Sequence, residues 1–307
     1  MNGHRTEIKI GQYGIVGLID VMPRLIKPGQ TLDHAVLQAA RTSYGQQEAE
    51  KTDAENRGLI RYLFRKNHVS PFEMVNVKWF HRLPIFVARQ LIRHRTASLN
   101  EFSQRYKSPK DEFFEPEVEG VRKQSKNNKQ GSEGPVDAED ALHFIHDCKA
   151  ISQDAYARYT GAVEGGIGKE LARIMLPVSI FTEWYWELDL NNMMRMLALR
   201  MDKHAQKEIR DYADAMYALL SPLAPWSFEA FNDFSEYRGG IKLSRLEVEA
   251  LVAHIAWLES TVDRLEDRLV TVAPKPDLVL PVGATKGERE DWAAKLPFLG
   301  LNSTRAK

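Results

Sequence analysis

Two periods of apolar spacing run through this chain. From Ile8 to Ile19, apolar residues mix with Gly11, Gly14 and Gly17, which predicts a strand pair or a bulged strand ending at Met22-Pro23. Thr31 then stands as a helix N-cap, with Asp33 and His34 in the first turn of a helix through Arg41. A second helix is predicted from Asp53 to Lys66, with Leu59, Ile60, Leu63 and Phe64 as its buried stripe. Pro71 drives Ser70 out of the helical region, so Asn67 to Glu73 reads as a turn. A strand through Met74, Val75, Val77, Trp79 and Phe80 follows. Pro84, at a first helical position, opens a helix with Ile85, Val87, Ala88 and Leu91 on its apolar side and Gln90 to Arg93 towards its end.

The middle of the chain changes character. Residues 107–137 form a long polar connection, acidic first (Asp111, Glu112, Glu115), then basic (Arg122, Lys123, Lys126). Connections this long are functional lids or disordered segments. A helix from Ala138 to Val163 is next, then a strand through Phe181, Trp184 and Trp186, then Asp189-Leu190-Asn191-Asn192 leading into a helix that carries Arg195 and Arg200. Beyond Ser244, a likewise predicted cap, Val248, Leu251, Ile255, Leu258, Val262, Leu265 and Leu269 alternate three- and four-residue steps up to a stop at Pro274. Such spacing suits either a coiled-coil seam or a long helix packed on its own domain. The tail from 275 to 307 is irregular, with Trp292 and Phe298 as anchors. These elements predict an α+β fold: a central, mostly antiparallel sheet with flanking helices and a long C-terminal amphipathic helix. Residues 1–240 would form the main domain and 241–307 an extension.

Composition narrows the function. The 307 residues carry 42 basic and 42 acidic side chains, a balance unlike the net basic footprint of a nucleic-acid-binding domain. A local basic pocket for a small anion remains open. The single cysteine, Cys148, rules out an intrachain disulfide and fits a reducing cytoplasm. No apolar run is long enough to span a bilayer, and the first residues lead into no apolar signal core. His143, His146 and Cys148 lie close together, but no second cluster completes a four-ligand set, so no metal is expected. Gly168-Lys169 is followed by Glu170 where a triphosphate loop needs Ser or Thr, and no G-x-G-x-x-G fingerprint is present.

The candidate chemistry concentrates in Gln90-Leu91-Ile92-Arg93-His94-Arg95-Thr96-Ala97-Ser98-Leu99-Asn100-Glu101-Phe102-Ser103-Gln104-Arg105-Tyr106. Guanidinium groups bind phosphates and carboxylates bidentately, in a geometry lysine cannot copy. Glu101, among these cations, should stay ionised. A bland basic face or an Arg-rich loop gripping nucleic acid is the alternative. Neutral net charge and the lack of an aromatic stacking ladder around Arg93 to Arg105 weigh against it.

Arg93-His94-Arg95, seven residues, then Ser103 resembles the signature of the flavin-dependent thymidylate synthases. The flanks Gln90, Asn100-Glu101 and Arg105-Tyr106 match it too, as do His68 and Ser70 in the family's His-x-Ser/Thr-Pro-Phe-Glu segment, and the string Leu199 to Arg210. The resemblance extends from about Ile8 to Tyr237. It implies reductive methylation of dUMP to dTMP, with methylenetetrahydrofolate as carbon donor and FAD, reduced by NADPH or NADH, as hydride source. It also implies a cytoplasmic homotetramer that binds neither nucleic acid nor membrane. By the same resemblance, Gln90, Arg93, Glu101, Ser103, Gln104 and Arg105 line the nucleotide site, with Arg173 on the phosphate and Arg200 as the catalytic group facing the pyrimidine. Ser70, Arg93, His94, Arg95, Glu101, Asp189, Leu190, Asn191, Arg195 and His204 would meet FAD. Arg195 stands where the family often has Asn or His. The unrelated cysteine-dependent synthases use a thiolate; Cys148 has no adjacent cationic motif to lower its pKa, and Ser103 lacks a paired base, so neither is expected to act as nucleophile.

Overall fold

The computed structural model describes residues 6–24, 27–45, 51–126, 131–235 and 245–266, together with the isolated positions 286 and 289. Its centre is an antiparallel five-stranded sheet built from β1 (Glu7–Ile10), β2 (Gly14–Met22), β3 (Asn76–Pro84), β4 (Ser98–Glu101) and β7 (Phe181–Asp189), in the order β1-β2-β3-β7-β4. The expected glycine-rich strand pair is β1–β2, and β2 shifts register against β3 between Leu18 and Asp20. β3 and β7 pair along their whole lengths, from Asn76 opposite Asp189 to Pro84 opposite Phe181.

Alternation along β3 and β7 decides which face is covered. Val77, Trp79, His81 and Leu83 point one way, joined by Trp184, Trp186 and Leu188, and all are buried. Lys78, Tyr185 and Glu187 point the other way and are exposed. The buried face carries the helices α1 (Leu32–Thr42), α2 (Asp53–Arg65), α3 (Ile85–Leu91), α6 (Leu190–Arg200), α7 (Lys207–Leu220) and α8 (Pro225–Phe234), whose apolar residues join one core cluster. One covered and one open face is the usual state of an antiparallel sheet. In the core, His81 Nδ1 accepts a 2.9 Å hydrogen bond from Trp184 Nε1, and burial drives its pKa down to about 3.

Helix starts follow local chemistry. Thr52 and Glu55 form a capping box on α2: Glu55 N–H donates to Thr52 Oγ1 (3.3 Å) and Thr52 N–H to Glu55 Oε2 (3.0 Å). Thr31 precedes α1, with its N–H donating to the His34 ring at 3.1 Å. Asp33 does more than favour a first turn. It is buried and caps α8, accepting from Trp226 N–H (2.8 Å), Ser227 N–H (2.9 Å) and Ser227 Oγ (2.5 Å). The buried stripe of α2 also differs from expectation. Ile60 and Leu63 are buried, Leu59 and Phe64 only partly, and Asn56 and Arg61 are buried with them. Arg61 goes inside because Glu229 and Asp233 of α8 both accept from it at 2.5 Å.

Three local readings are corrected. Met74 belongs to a 3₁₀ turn, Phe72–Met74, and the strand begins only at Asn76. Pro84 is the last residue of β3 and the N-cap of α3, with φ −65° and ψ 147°, so the strand's extended backbone carries straight into the helix. The helix stops at Leu91, leaving Arg93, His94 and Arg95 beyond its end. Leu91 is its last buried apolar residue, and past it nothing holds a helix against the core.

The connection 107–137 is not featureless. It contains a 3₁₀ turn, Val118–Gly120, and a two-stranded sheet of β5 (Arg122–Gln124) and β6 (Ser132–Pro135). Phe113 bridges to Ile180 and is buried. α4 (Ala138–Glu164) then leads to the short α5 (Lys169–Ala172). His143 and His146 of α4 lie beside Asp147, at 3.5 and 3.7 Å. A further helix, α9, spans Arg245–Glu266; Ser244, Leu269 and Pro274 lie outside the described residues. Among the described residues no helix is long and apolar enough to cross a membrane.

Candidate active site

The turn after α3 and the C-terminal end of α6 meet. Arg200, the last residue of α6, donates from Nε to His94 Nε2 (3.0 Å) and from Nη2 to the Gln90 carbonyl (3.1 Å). Burial, and then the charge of Arg200, push the His94 pKa down to about 4. His94 is therefore neutral near pH 7, its Nε2 is the acceptor, and the ring proton belongs on Nδ1. Burial, with Arg93 nearby, lowers the Arg200 pKa as well. Gln90 is fixed in turn by Gln206, whose Oε1 accepts from Gln90 Nε2 at 2.6 Å. A guanidinium anchored on a neutral imidazole and a carbonyl keeps its remaining N–H groups for a ligand.

α6 also forms one wall of an open cavity of about 1160 Å³. Asn191, Arg195 and Arg200 line it from α6, His204 from the loop that follows, Leu63 and Phe64 from α2, and Phe231 from α8. The volume exceeds that of pockets for compact ligands, about 300–1,000 Å³. Apolar walls beside three guanidiniums, those of Arg65, Arg195 and Arg200, suit an extended ligand with planar rings and a phosphate linkage, so the residues present fit a dinucleotide cofactor. Asp189 shapes this wall by capping α6: its Oδ1 accepts from Asn192 N–H at 2.9 Å. Asn191 is buried and donates to Glu73 at 3.4 Å. Leu190 has its side chain wholly inside the core, and its N–H bonds the Val75 carbonyl at 2.7 Å. Its side chain therefore packs the wall from behind. His204 pairs with Asp202 at 2.8 Å. Ser70 is exposed and its carbonyl accepts from Glu73 N–H. Arg95 and Arg195 are exposed.

The remaining expected residues gather at the sheet edge. β4 pairs with β7, setting Glu101 opposite Trp184, and Glu101 Oε1 accepts from Thr182 Oγ1 at 2.7 Å. Ser103 Oγ accepts from Arg105 N–H (3.4 Å), in the turn that also carries Gln104. Arg105 faces Glu170 of α5 at 3.7 Å, Arg173 Nε donates to the Glu170 carbonyl at 3.2 Å, and Lys169 Nζ reaches the Tyr106 carbonyl at 3.5 Å. Arg105 and Arg173 thus converge on one exposed turn. No described hydrogen bond or ion pair joins this group to the one around Arg200. Reading the sequence missed Gln206, Glu73, Thr182, Lys169 and Glu170. The first two lie inside matched strings, so a signal existed; Lys169 and Glu170 were weighed only as a triphosphate loop, and Thr182 carried no signal.

Cys148 lies apart from both groups. Burial, and then Asp147, raise its thiol pKa, the reverse of what a nucleophilic thiolate needs.

The family model described as thymidylate synthase complementing protein matches residues 24–226. The chain is 49% identical over 248 residues to a flavin-dependent thymidylate synthase of Dictyostelium discoideum, covering 81% of this chain and 80% of that protein. The chain belongs to the flavin-dependent thymidylate synthase family. A Thermus thermophilus member is 45% identical over 251 residues, covering 82% of this chain and 86% of its own length. The UMP/dUMP methylase PolB of Streptomyces cacaoi, solved with 5-Br dUMP, superposes with a TM-score of 0.66 at 31% identity, over 73% of this chain and 97% of that one. The matched family region contains every site residue expected from the sequence, from Ser70 to His204.

Proposed function

We propose that this chain is a thymidylate synthase that reductively methylates dUMP to dTMP. Methylenetetrahydrofolate would donate the carbon, and FAD, reduced by NADPH, would be the redox cofactor. The observation that carries the reading is Arg200, held by His94 and Gln90 at the edge of a cavity large enough for a dinucleotide. When bound, the flavin supplies a hydride, which no side chain offers.

The residues then take distinct parts. Arg105 and Arg173 receive the nucleotide phosphate, which displaces Arg105 from Glu170. Gln90, Arg93, Glu101, Ser103 and Gln104 orient base and sugar. To take up a carbon at C5 the pyrimidine must act as the nucleophile, and the enolate-like, electron-rich form that can do so carries negative charge on its carbonyls. The Arg200 guanidinium stabilises that charge more than it stabilises the neutral substrate. Neutral His94 holds the guanidinium in position without competing for the charge. Arg95, Arg195 and Asn191, with Ser70, Asp189 and His204 around them, hold the flavin nucleotide, and Leu190 packs beneath. We further propose a cytoplasmic homotetramer in which the two exposed groups are completed between subunits, with residues 1–240 as the catalytic unit. The decisive experiment is dTMP formation from dUMP and methylenetetrahydrofolate, with and without FAD. A purified protein that is colourless, and inactive when FAD is added, would sink the reading.

A further inference from the structure

α9 differs in kind from the helices around the sheet. The apolar core takes no described residue after Phe234, and the helix lies beyond the 24–226 region that the family model matches. Yet Leu251 is 42% and Leu258 43% exposed on it. The 22-residue helix is about 33 Å long, and in proteins most helical stability comes from packing an apolar face rather than from propensity.

The sequence of the face says what covers it. Val248, Ile255 and Val262 occupy one seam position of the heptad, and Leu251 and Leu258 the other. The spacing continues in the sequence, with Leu265 at the second position and Leu269 at the first. Among parallel coiled coils, β-branched residues at the first position with leucine at the second favour two strands over higher assemblies. In a parallel pair, His254 beside one seam faces Glu259 beside the other, one heptad on, so no like charges oppose there.

We propose that α9 pairs with α9 of a second copy of this chain as a parallel, in-register, two-stranded coiled coil. The two-fold axis of the pair runs along the coil, so identical residues meet across it. At the seam positions the facing β-carbons come close enough for a disulfide; at the outer positions they do not.

Full-length protein carrying Cys148→Ser supplies a thiol-free background. Leu258→Cys places a thiol on the seam and Ala253→Cys places one on the outer face. Under mild oxidation at micromolar concentration, Leu258→Cys should form disulfide-linked pairs at least tenfold faster than Ala253→Cys. Adding Leu251→Glu to Leu258→Cys should cut that rate by tenfold or more. Circular dichroism and melting temperature establish that each variant is folded, whatever its activity, and Ile255→Cys serves as the seam probe if Leu258→Cys is not. Equal rates for seam and outer thiols in folded protein would overturn the proposal. So would no linking from either Leu258→Cys or Ile255→Cys, as when the helices pair antiparallel or the chain's own tail or an unrelated helix covers the face.

Discussion

Arg200→Lys keeps the charge beside the pyrimidine and removes the fork that aims it. The wild-type guanidinium spends Nε on His94 (3.0 Å) and Nη2 on the Gln90 carbonyl (3.1 Å), and still presents N–H groups to a ligand. A lysine ammonium cannot span both anchors and the ring carbonyl in one plane. Losing one preorganised donor at developing negative charge costs about 3–4 kcal/mol, roughly a hundred- to a thousandfold in rate. Each lost anchoring bond has a charged donor and is worth about 1.5–3 kcal/mol of folding stability. The two effects are separated by where they act: the loss of transition-state stabilisation should fall on kcat more than on the KM for dUMP, because the neutral ground state gains little from the guanidinium, whereas lost anchoring lowers the melting temperature. Cys148→Ser is the control: its thiol has a raised pKa, so most activity should survive. The assay is dTMP formation, with flavin absorbance and melting temperature measured on all three proteins. A folded, yellow Cys148→Ser that makes no dTMP, beside a near-normal Arg200→Lys, would refute the reasoning.

Asp33→Ala leaves the Trp226 and Ser227 donors without an acceptor and should cost about 2–4 kcal/mol, read as a lower denaturation midpoint with little change in site chemistry. Stability should fall in acid. His81 has a folded pKa of about 3, below its unfolded value near 6.5, so unfolding takes up a proton between them; its contribution is complete above pH 6.5 and lost as pH falls towards 3. His94, at about 4, adds in the same direction. His81→Gln should flatten the slope of unfolding free energy between pH 6 and 4 by about 1.4 kcal/mol per pH unit, and an unchanged slope would show that His81 does not titrate on unfolding. Deleting residues 245 onward should weaken assembly or stability while leaving flavin binding intact; an assembled, folded truncation that binds no FAD would place part of the flavin site in the extension.

Much of the architecture was legible because its causes are local. A threonine starts α1, an apolar period marks α2, and alternating bulky residues draw β3 and β7. The signature residues were legible for the same reason, since a string of side chains at fixed spacing survives without knowledge of the fold. Legibility failed where a segment's partner lies far away. β4 has no buried residue and no alternation, so Ser98 to Glu101 reads as polar loop. It becomes a strand because β7, more than eighty residues downstream, supplies its hydrogen bonds. β5 and β6 are likewise exposed throughout, with no pattern to announce them. Arg61 reads as a solvated cation until α8 brings Glu229 and Asp233 against it.

By itself, then, the sequence determined the order of most elements, the period of each apolar face and the inventory of reactive side chains. It could not say which of those side chains share a site. His94 and Arg200 stand 106 residues apart, and only the close of β7 beside β3 sets the start of α6 so that its last turn reaches the end of α3. That contact makes His94 neutral and gives Arg200 its aim, and both depend on burial, a property no residue has until the chain has folded around it.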